Sequence, residues 1–153
     1  MEPSTPEAKA LKQACDVFIK DLEALPEEAF TKSFAPKART VADITYEVIM
    51  VNDAIVGLLQ GKPMPEWPGG WVTAPESFQT KDQVLNGFRE ASDRVMGSVA
   101  AMNPDEMLVL TETPRGEAPK GDRVRFMALH TWYHSGQLNF IQTLLGDDGW
   151  HWG

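Results

Sequence analysis

Two histidines four residues apart are the strongest chemical feature of this sequence. His130 and His134 lie in the run HTWYHSGQL, which covers residues 130–138. In a helix, residues at positions i and i+4 lie on one face a single turn apart, so both imidazoles can reach one metal ion. The spacing alone is weak evidence, because it also arises by chance and buried histidines commonly bond a neighbouring side chain. Metal binding and a buried polar pair both remain open on this motif.

A carboxylate on a second apolar stripe strengthens the metal interpretation. Glu47 lies three residues after Ile44 and four residues before Val51. A buried carboxylate is costly unless it is paired, hydrogen-bonded or bound to a metal. Two histidines and one carboxylate form a ligand set that leaves coordination positions open for water or substrate. The alternative is a Glu47 that accepts hydrogen bonds from Tyr133, Trp132 or one of the two histidines.

Four amphipathic stretches must position these residues. Each carries apolar side chains at helical spacing and begins or ends at a capping or breaking residue. They run from Ser4-Thr5-Pro6 to Pro26, from Thr40 to Gly61, from Thr80 to Asn103-Pro104, and from Gly121-Asp122 to Leu145. Four such helices predict an all-α fold, a four-helix bundle that forms one domain over residues 1–153.

The fourth stretch is expected to bury an apolar surface around the two histidines. We expect this surface to comprise Phe126, Leu129, Tyr133, Leu138, Ile141 and Leu145. The linker over residues 62–79 is rich in proline and tryptophan, which predicts an ordered crossover and not a flexible tether. The linker over residues 104–121 is expected to form a short strand or an extended arm with a turn.

Composition excludes several classes of protein. Of the 153 residues, 14 are Lys or Arg and 22 are Asp or Glu, so the formal net charge is −8. This charge argues against nucleic-acid binding. No stretch is long and apolar enough for a membrane helix, and the acidic N-terminus does not resemble a signal peptide, so we expect a cytoplasmic protein. The single cysteine, Cys15, lies on a core stripe and is expected to be inert filler.

The chain resembles the DinB-like superfamily, which includes bacillithiol-transferase-type and mycothiol-dependent members. The resemblance rests on RTVADITYEV at residues 39–48, on HTWYHSGQL at residues 130–138 and on the Leu144-Leu145-Gly146 helix end. It implies a bundle of up-down-down-up type that holds a divalent metal through Glu47, His130 and His134. Zinc, nickel, manganese and iron all suit this set. The family usually has histidine where this chain has Glu47, a change that lowers the charge of the site and softens the Lewis acidity of the metal.

The resemblance also implies a function. We expect a metal-dependent thiol S-transferase that uses a low-molecular-weight thiol on a small electrophilic substrate, and we expect a homodimer. The alternatives are a metal-dependent hydrolase, and a non-catalytic bundle that binds a metal or small molecule or serves as a dimerising scaffold. Arg123, Trp71 and Trp132 are candidate substrate-binding residues, while Asn52 and Gln137 are candidates to support the metal ligands.

Overall fold

Four long helices form the predicted bundle. The computed structural model of the protein describes residues 2–153. The long helices are α1 (Pro6–Ala24), α2 (Val41–Leu59), α3 (Lys81–Val99) and α5 (Lys120–Leu144). The smaller elements are a 3-10 turn (Glu27–Ala29), helix α4 (Pro104–Leu108) and strands β1 (Leu110–Thr113) and β2 (Gly116–Pro119). The prediction of an all-α bundle is therefore confirmed, with one small hairpin added.

Three threonines start the first three long helices, as the sequence predicts. Thr5 accepts a hydrogen bond from the backbone of Ala8, and Thr40 accepts one from the backbone of Asp43. Thr80 forms a reciprocal capping box with Gln83. Each cap satisfies a backbone N–H that has no partner within the helix and stabilises its helix by about 1 kcal/mol. The cap of α2 also fixes the start of this helix at Val41, six residues before Glu47.

The order of the helices around the core brings the site together. Helix α5 packs against α1 and α2, and α3 packs against the same two helices from the opposite corner. Glu47 on α2 can therefore face the histidines of α5. The core between the helices is filled by large apolar side chains, including Phe18 and Phe88, whose ring centroids lie 4.5 Å apart. None of the helices in residues 2–153 has the length and apolarity that crossing a membrane requires.

The seam between α1 and α5 contains a buried carboxylate. Asp21 on α1 accepts hydrogen bonds from the Ser135 hydroxyl, from the Asn139 amide at 3.1 Å and from the Trp152 indole at 2.7 Å. Burial raises the pKa of Asp21, while these hydrogen bonds act in the opposite direction. The three donors link the first helix to the last helix and to the C-terminal tail.

The predicted burial of α5 is wrong at three positions. Phe126, Leu129 and Tyr133 are 46%, 68% and 64% exposed. The helix instead turns a different face to the core, formed by Val124, Met127, Ala128, Thr131, His134, Ser135, Leu138, Ile141 and Gln142. Helix α5 carries apolar residues around most of its circumference, so its sequence period does not single out the core face. The histidines lie at the boundary between its buried and exposed sides.

The linker over residues 104–121 contains more structure than predicted. The expected strand is present, since β1 pairs with β2 in an antiparallel hairpin from Leu110↔Pro119 to Thr113↔Gly116. Gly116 adopts a φ of 103°, a conformation that side chains disfavour. The short helix α4 before the hairpin was not predicted. Its signal is present in the sequence, because Asn103 and Glu106 form a capping box and Pro104 occupies the first helical position.

Candidate metal centre

Helices α2 and α5 bring three metal-ligating groups into one cluster. Glu47 Oε1 lies 3.4 Å from His134 Nε2 and 3.7 Å from His130 Nε2. The two Nε2 atoms are 3.1 Å apart. Zinc bonds of 2.0–2.1 Å at tetrahedral angles place neighbouring ligand atoms about 3.4 Å apart. The three atoms thus match one face of a coordination tetrahedron, and this Glu/His/His group could hold a divalent metal.

The cluster is only partly closed off from solvent. The His134 side chain is 1% exposed, whereas the side chains of His130 and Glu47 are 14% and 13% exposed. Solvent therefore reaches the cluster from the side of His130 and Glu47. A site with three protein ligands and one accessible direction is typical of catalytic metal centres, because structural centres are usually closed by four protein ligands.

The protonation states of the histidines suit metal binding. Burial lowers the pKa of His130 to about 4 and also lowers the pKa of His134. Both imidazoles are therefore neutral near pH 7 and can donate a lone pair to a metal. The Nδ1 atom of His134 lies 2.7 Å from Gln137 Oε1. With the proton on Nδ1 and donated to Gln137, the Nε2 lone pair faces the cluster.

Comparisons with known proteins identify the family of this chain. The sequence model of the DinB superfamily matches residues 10–138. The chain belongs to the DinB superfamily. A DinB-like protein from Bacillus cereus is similar in structure, with a TM-score of 0.73, 13% identity, and coverage of 92% of this chain and 91% of that protein. A conserved protein from Enterococcus faecalis has a TM-score of 0.71 and 12% identity, and the coverage is 96% and 99%. These identities show a shared fold; among curated proteins, no sequence matches the chain.

In this DinB chain, an arginine that the sequence analysis missed supports the carboxylate. The Arg39 guanidinium donates to Glu47 Oε2, which leaves Oε1 directed at the two histidines. Arg39 also stacks over the Trp71 ring at 4.4 Å and lies 3.4 Å from Gln137 Oε1. It occupies the loop just before the α2 cap, where no periodic pattern marks it. The sequence did offer one indication of such a residue, because a buried carboxylate such as Glu47 needs a cationic partner.

Gln137 contacts both sides of the cluster. Its Oε1 atom accepts from His134 Nδ1 at 2.7 Å and lies 3.4 Å from Arg39 Nη2. Because arginine can only donate, this assignment of the amide oxygen is consistent with both contacts. Gln137 therefore connects the guanidinium that holds Glu47 to the imidazole of His134. The structure thus places Gln137 where a supporting residue was expected.

The other four candidate residues lie in four different environments. Trp71 lies beside the cluster through its contact with Arg39. Arg123 lies on α5 two turns before His130 and lines a separate groove of about 380 Å³. Trp132 packs against Trp152 at 5.5 Å, toward the C-terminal tail. Asn52 is buried, and its Oδ1 atom has no hydrogen-bond partner in residues 2–153.

An apolar cleft of about 780 Å³ lies next to the metal cluster. Its walls are formed mainly by aromatic and aliphatic side chains from α5 and from the two linkers around α2. They include Phe34, Trp71, Tyr133, Phe140 and Leu144, together with Arg39 and Gln137. The cleft therefore shares two residues with the network that holds Glu47 and His134. Its volume falls within the range of small-molecule sites.

Proposed function

We propose that this protein is a metal-dependent thiol S-transferase that joins a low-molecular-weight thiol to a small electrophile. The observation that carries the proposal is the triangle formed by Glu47 Oε1, His130 Nε2 and His134 Nε2, with one side accessible to solvent. The adjoining apolar cleft supports it, because an electrophile with an apolar body needs such a surface. Membership of the DinB superfamily supports the same class of function.

The residues of the chain divide the work. A divalent metal held by Glu47, His130 and His134 would act as a Lewis acid and lower the pKa of a thiol. Arg39 holds Glu47 by its other oxygen and offsets part of the negative charge that this ligand adds. Gln137 fixes the proton of His134 on Nδ1. In the transfer, a sulfur–carbon bond forms, the bond from carbon to the leaving group breaks, and the thiol proton is released to solvent.

The large cleft would surround the reacting part of the electrophile. Trp71, Tyr133 and Phe140 present apolar surface beside the cluster. Binding there would hold the electrophile next to the thiol and keep water from competing as the nucleophile. No general base is assigned, because a divalent metal held by Glu47, His130 and His134 would itself lower the pKa of a thiol toward neutral pH.

Metal content tests the site itself. Untagged wild-type protein loaded with zinc should contain about one metal per chain by elemental analysis, while Glu47→Ala and His130→Ala should contain almost none. His151→Ala is the matched control, because His151 lies in the C-terminal tail and pairs with Asp147. Equal zinc content in all four proteins would refute the assigned ligands, and failure of wild type to bind zinc, nickel, manganese or iron would refute the proposal.

Thiol binding tests the function. Protein loaded with cobalt should develop a sulfur-to-cobalt charge-transfer band in the near ultraviolet on addition of cysteine or 2-mercaptoethanol. The same protein should accelerate the reaction of that thiol with 1-chloro-2,4-dinitrobenzene in proportion to its metal content. Metal binding without the band or the rate would favour a non-catalytic metal-binding bundle. Hydrolysis of 4-nitrophenyl acetate without thiol transfer would favour a metal-dependent hydrolase.

The proposal includes a homodimer formed through α5. Leu129, Tyr133, Phe140 and Leu144 form an exposed apolar stripe along this helix, with Gly136 between the two pairs. Tyr133, Phe140 and Leu144 also line the large cleft, so a second copy that packs here would border the cleft and narrow its opening. The stripe is symmetric about the point between Gly136 and Gln137, and the surface at Gly136 is open. A second copy of α5 running antiparallel would therefore pair each half of the stripe with the other half.

Light scattering coupled to size exclusion tests this dimer. Wild type should elute as a dimer, and Leu129→Lys should shift it to the monomer. Leu108→Lys serves as the control, because Leu108 is equally exposed but lies on α4. A monomeric wild type would contradict the proposed dimer.

We place the protein in the cytoplasm, where low-molecular-weight thiols are kept reduced, and its single cysteine fits that setting.

A further inference from the structure

A second groove begins one helical turn from the metal cluster, on the side opposite the large cleft. It has a volume of about 380 Å³ and lies between α2, α5 and the β1–β2 hairpin. Val51 on its α2 wall is one turn beyond Glu47. Phe126 on its α5 wall stacks on the His130 ring, with centroids 5.9 Å apart and planes 22° apart. A ligand in this groove would therefore contact a wall that is shared with a metal ligand.

Most of the groove surface is apolar. Val51, Ile55 and Leu58 come from α2, Phe126 comes from α5, and Met64 and Trp67 come from the linker that follows α2. Trp67 and Met64 are partly exposed at the edge of the groove. Such a surface favours an aliphatic or aromatic ligand body, and its volume lies at the lower end of the range for small-molecule sites.

Two arginines provide the groove with positive charge. Arg123 lines it from α5, and Arg115 lines it from the turn of the hairpin. Neither guanidinium forms an ion pair within residues 2–153, although the chain has a net charge of −8. The Arg123 Nε atom is buried and has no hydrogen-bond partner in that part of the chain. A buried donor without an acceptor is unusual, because its loss of hydration is not offset.

Arg39 in the neighbouring cleft differs in this respect. Its guanidinium is already engaged by Glu47 and Trp71. An anionic ligand would have to compete with Glu47 for Arg39, but it would meet no competing carboxylate at Arg123. The large cleft also has Lys37 on its wall, an exposed side chain without an ion pair in residues 2–153. The smaller groove differs in having two unpaired guanidinium groups, one of them with a buried Nε that has no partner in that part of the chain.

We propose that this groove binds the anionic end of the electrophile, and that the electrophile is a small organic acid with an apolar body whose reactive end extends past His130 toward the metal cluster and the large cleft. Arg123 and Arg115 donate to the carboxylate, and Trp67, Met64 and Phe126 contact the body of the acid. The naming of this ligand as substrate rests on the proposed function, whereas binding of the acid does not. The groove would orient the acid so that its other end approaches the metal cluster past His130.

The indole resonances of the tryptophans provide the test. The protein contains five tryptophans, and Trp67 lines the groove while Trp71 lines the large cleft. In a ¹H–¹⁵N spectrum of the metal-free full chain, 3-phenylpropionate should shift the Trp67 indole signal in a saturable manner and leave the Trp71 signal in place. The neutral analogue 3-phenyl-1-propanol and inorganic phosphate should each bind about tenfold more weakly, since each lacks one half of the recognition.

Variants decide whether the arginines are responsible. Arg123→Gln should weaken binding of 3-phenylpropionate about tenfold or more, and Arg115→Gln, at an exposed turn, should weaken it in the same direction. Arg125→Gln is the matched control on the same helix, because Arg125 pairs with Glu7 and Asp122 and does not line the groove. Unchanged affinity in both groove variants, or a shift at Trp71 in place of Trp67, would overturn the proposal.

A further variant separates this proposal from the metal-dependent function. His130→Ala removes a metal ligand but no donor from the arginine pair. Binding of 3-phenylpropionate to His130→Ala with an affinity within threefold of wild type would support an acid site that exists without the metal. Loss of binding in this variant, or binding to wild type only after zinc is added, would show that the acid binds the metal and would overturn the assignment to Arg123 and Arg115.

Discussion

Replacing Gln137 with leucine tests how the protein prepares His134 for a metal. In the metal-free Gln137→Leu variant, the His134 proton can move to Nε2, which lies 3.4 Å from Glu47 Oε1. Metal binding would require the proton to return to Nδ1. In wild type the Nδ1 atom lies 2.7 Å from its acceptor, Gln137 Oε1, and in the variant that acceptor is missing. The His134 ring is 1% exposed and the leucine side chain would fill the place of the amide, so we expect no water to replace that acceptor. An unsatisfied buried donor costs about 1–3 kcal/mol, and here the cost falls on the metal-bound state alone.

This cost converts directly into affinity. At about 1.4 kcal/mol per tenfold, zinc should bind Gln137→Leu about fivefold to about 140-fold more weakly than wild type. The range agrees with the effect of removing a supporting partner in other metal sites, about 10-fold to 100-fold. Competition with a chromophoric chelator measures the affinity. Gln137→Glu keeps an acceptor and should recover most of the loss.

The control is the same substitution on the same helix. Gln142→Leu removes hydrogen bonds to the backbone of Asp147 and Gly149 and does not touch the cluster. It should leave zinc affinity within about twofold of wild type, although it lowers stability by about 1 kcal/mol. Gln137→Leu binding zinc as tightly as wild type, or Gln137→Glu binding as weakly as Gln137→Leu, would refute the role given to this hydrogen bond.

Three buried groups give further predictions. Burial raises the pKa of Cys15 to about 11, so its thiol should react very slowly in the native protein. A chromogenic disulfide should label Cys15 fully in denaturant and negligibly without it, and fast labelling of the native protein would contradict this. Arg39→Leu should lower the free energy of unfolding, measured in urea, by about 3 kcal/mol, because Glu47 would keep a charge without a partner. Arg94→Leu is the control: its ion pair with Asp53 is exposed, so this variant should lower the free energy of unfolding by less than about 1 kcal/mol. Between pH 3.8 and the raised pKa of Asp21, the native state binds more protons than the unfolded state. Stability relative to Asp21→Asn should therefore fall as pH rises through this window, and parallel stability curves would refute it.

The helices could be predicted where local signals agreed. Thr5, Thr40 and Thr80 each precede an apolar stripe of helical period, and each caps its helix. Helix α3 ends at Val99, earlier than expected, because the apolar pattern continues to Met102 in the turn that follows. Helix α2 ends at Leu59, two residues before the expected Gly61. The buried face of α5 could not be predicted in this way, because apolar residues lie on several faces of this helix and the sequence does not show which face meets the core.

The candidate site could be predicted only in part. The spacing of His130 and His134 and the position of Glu47 on an apolar stripe are local properties, and the structure brings these three together. The contact of Arg39 with Glu47 depends on how a loop folds back over α2, which no periodicity encodes. Trp132 was considered for the pocket because of its neighbours in sequence, but it points around the helix to Trp152. Adjacent residues on a helix lie on different faces.

The seam between α1 and α5 has a consequence for the order of folding. Asp21 and Ser135 are 114 residues apart, and α1 packs on α5 more extensively than on any other helix. Closing a loop of that length costs about 2 kcal/mol more than closing a ten-residue loop, which slows the encounter about fortyfold. During synthesis, α1 remains without its main partner until α5 has left the ribosome. The bundle therefore closes late in synthesis. A chaperone could cover the apolar face of α1 while most of the remaining chain is being translated.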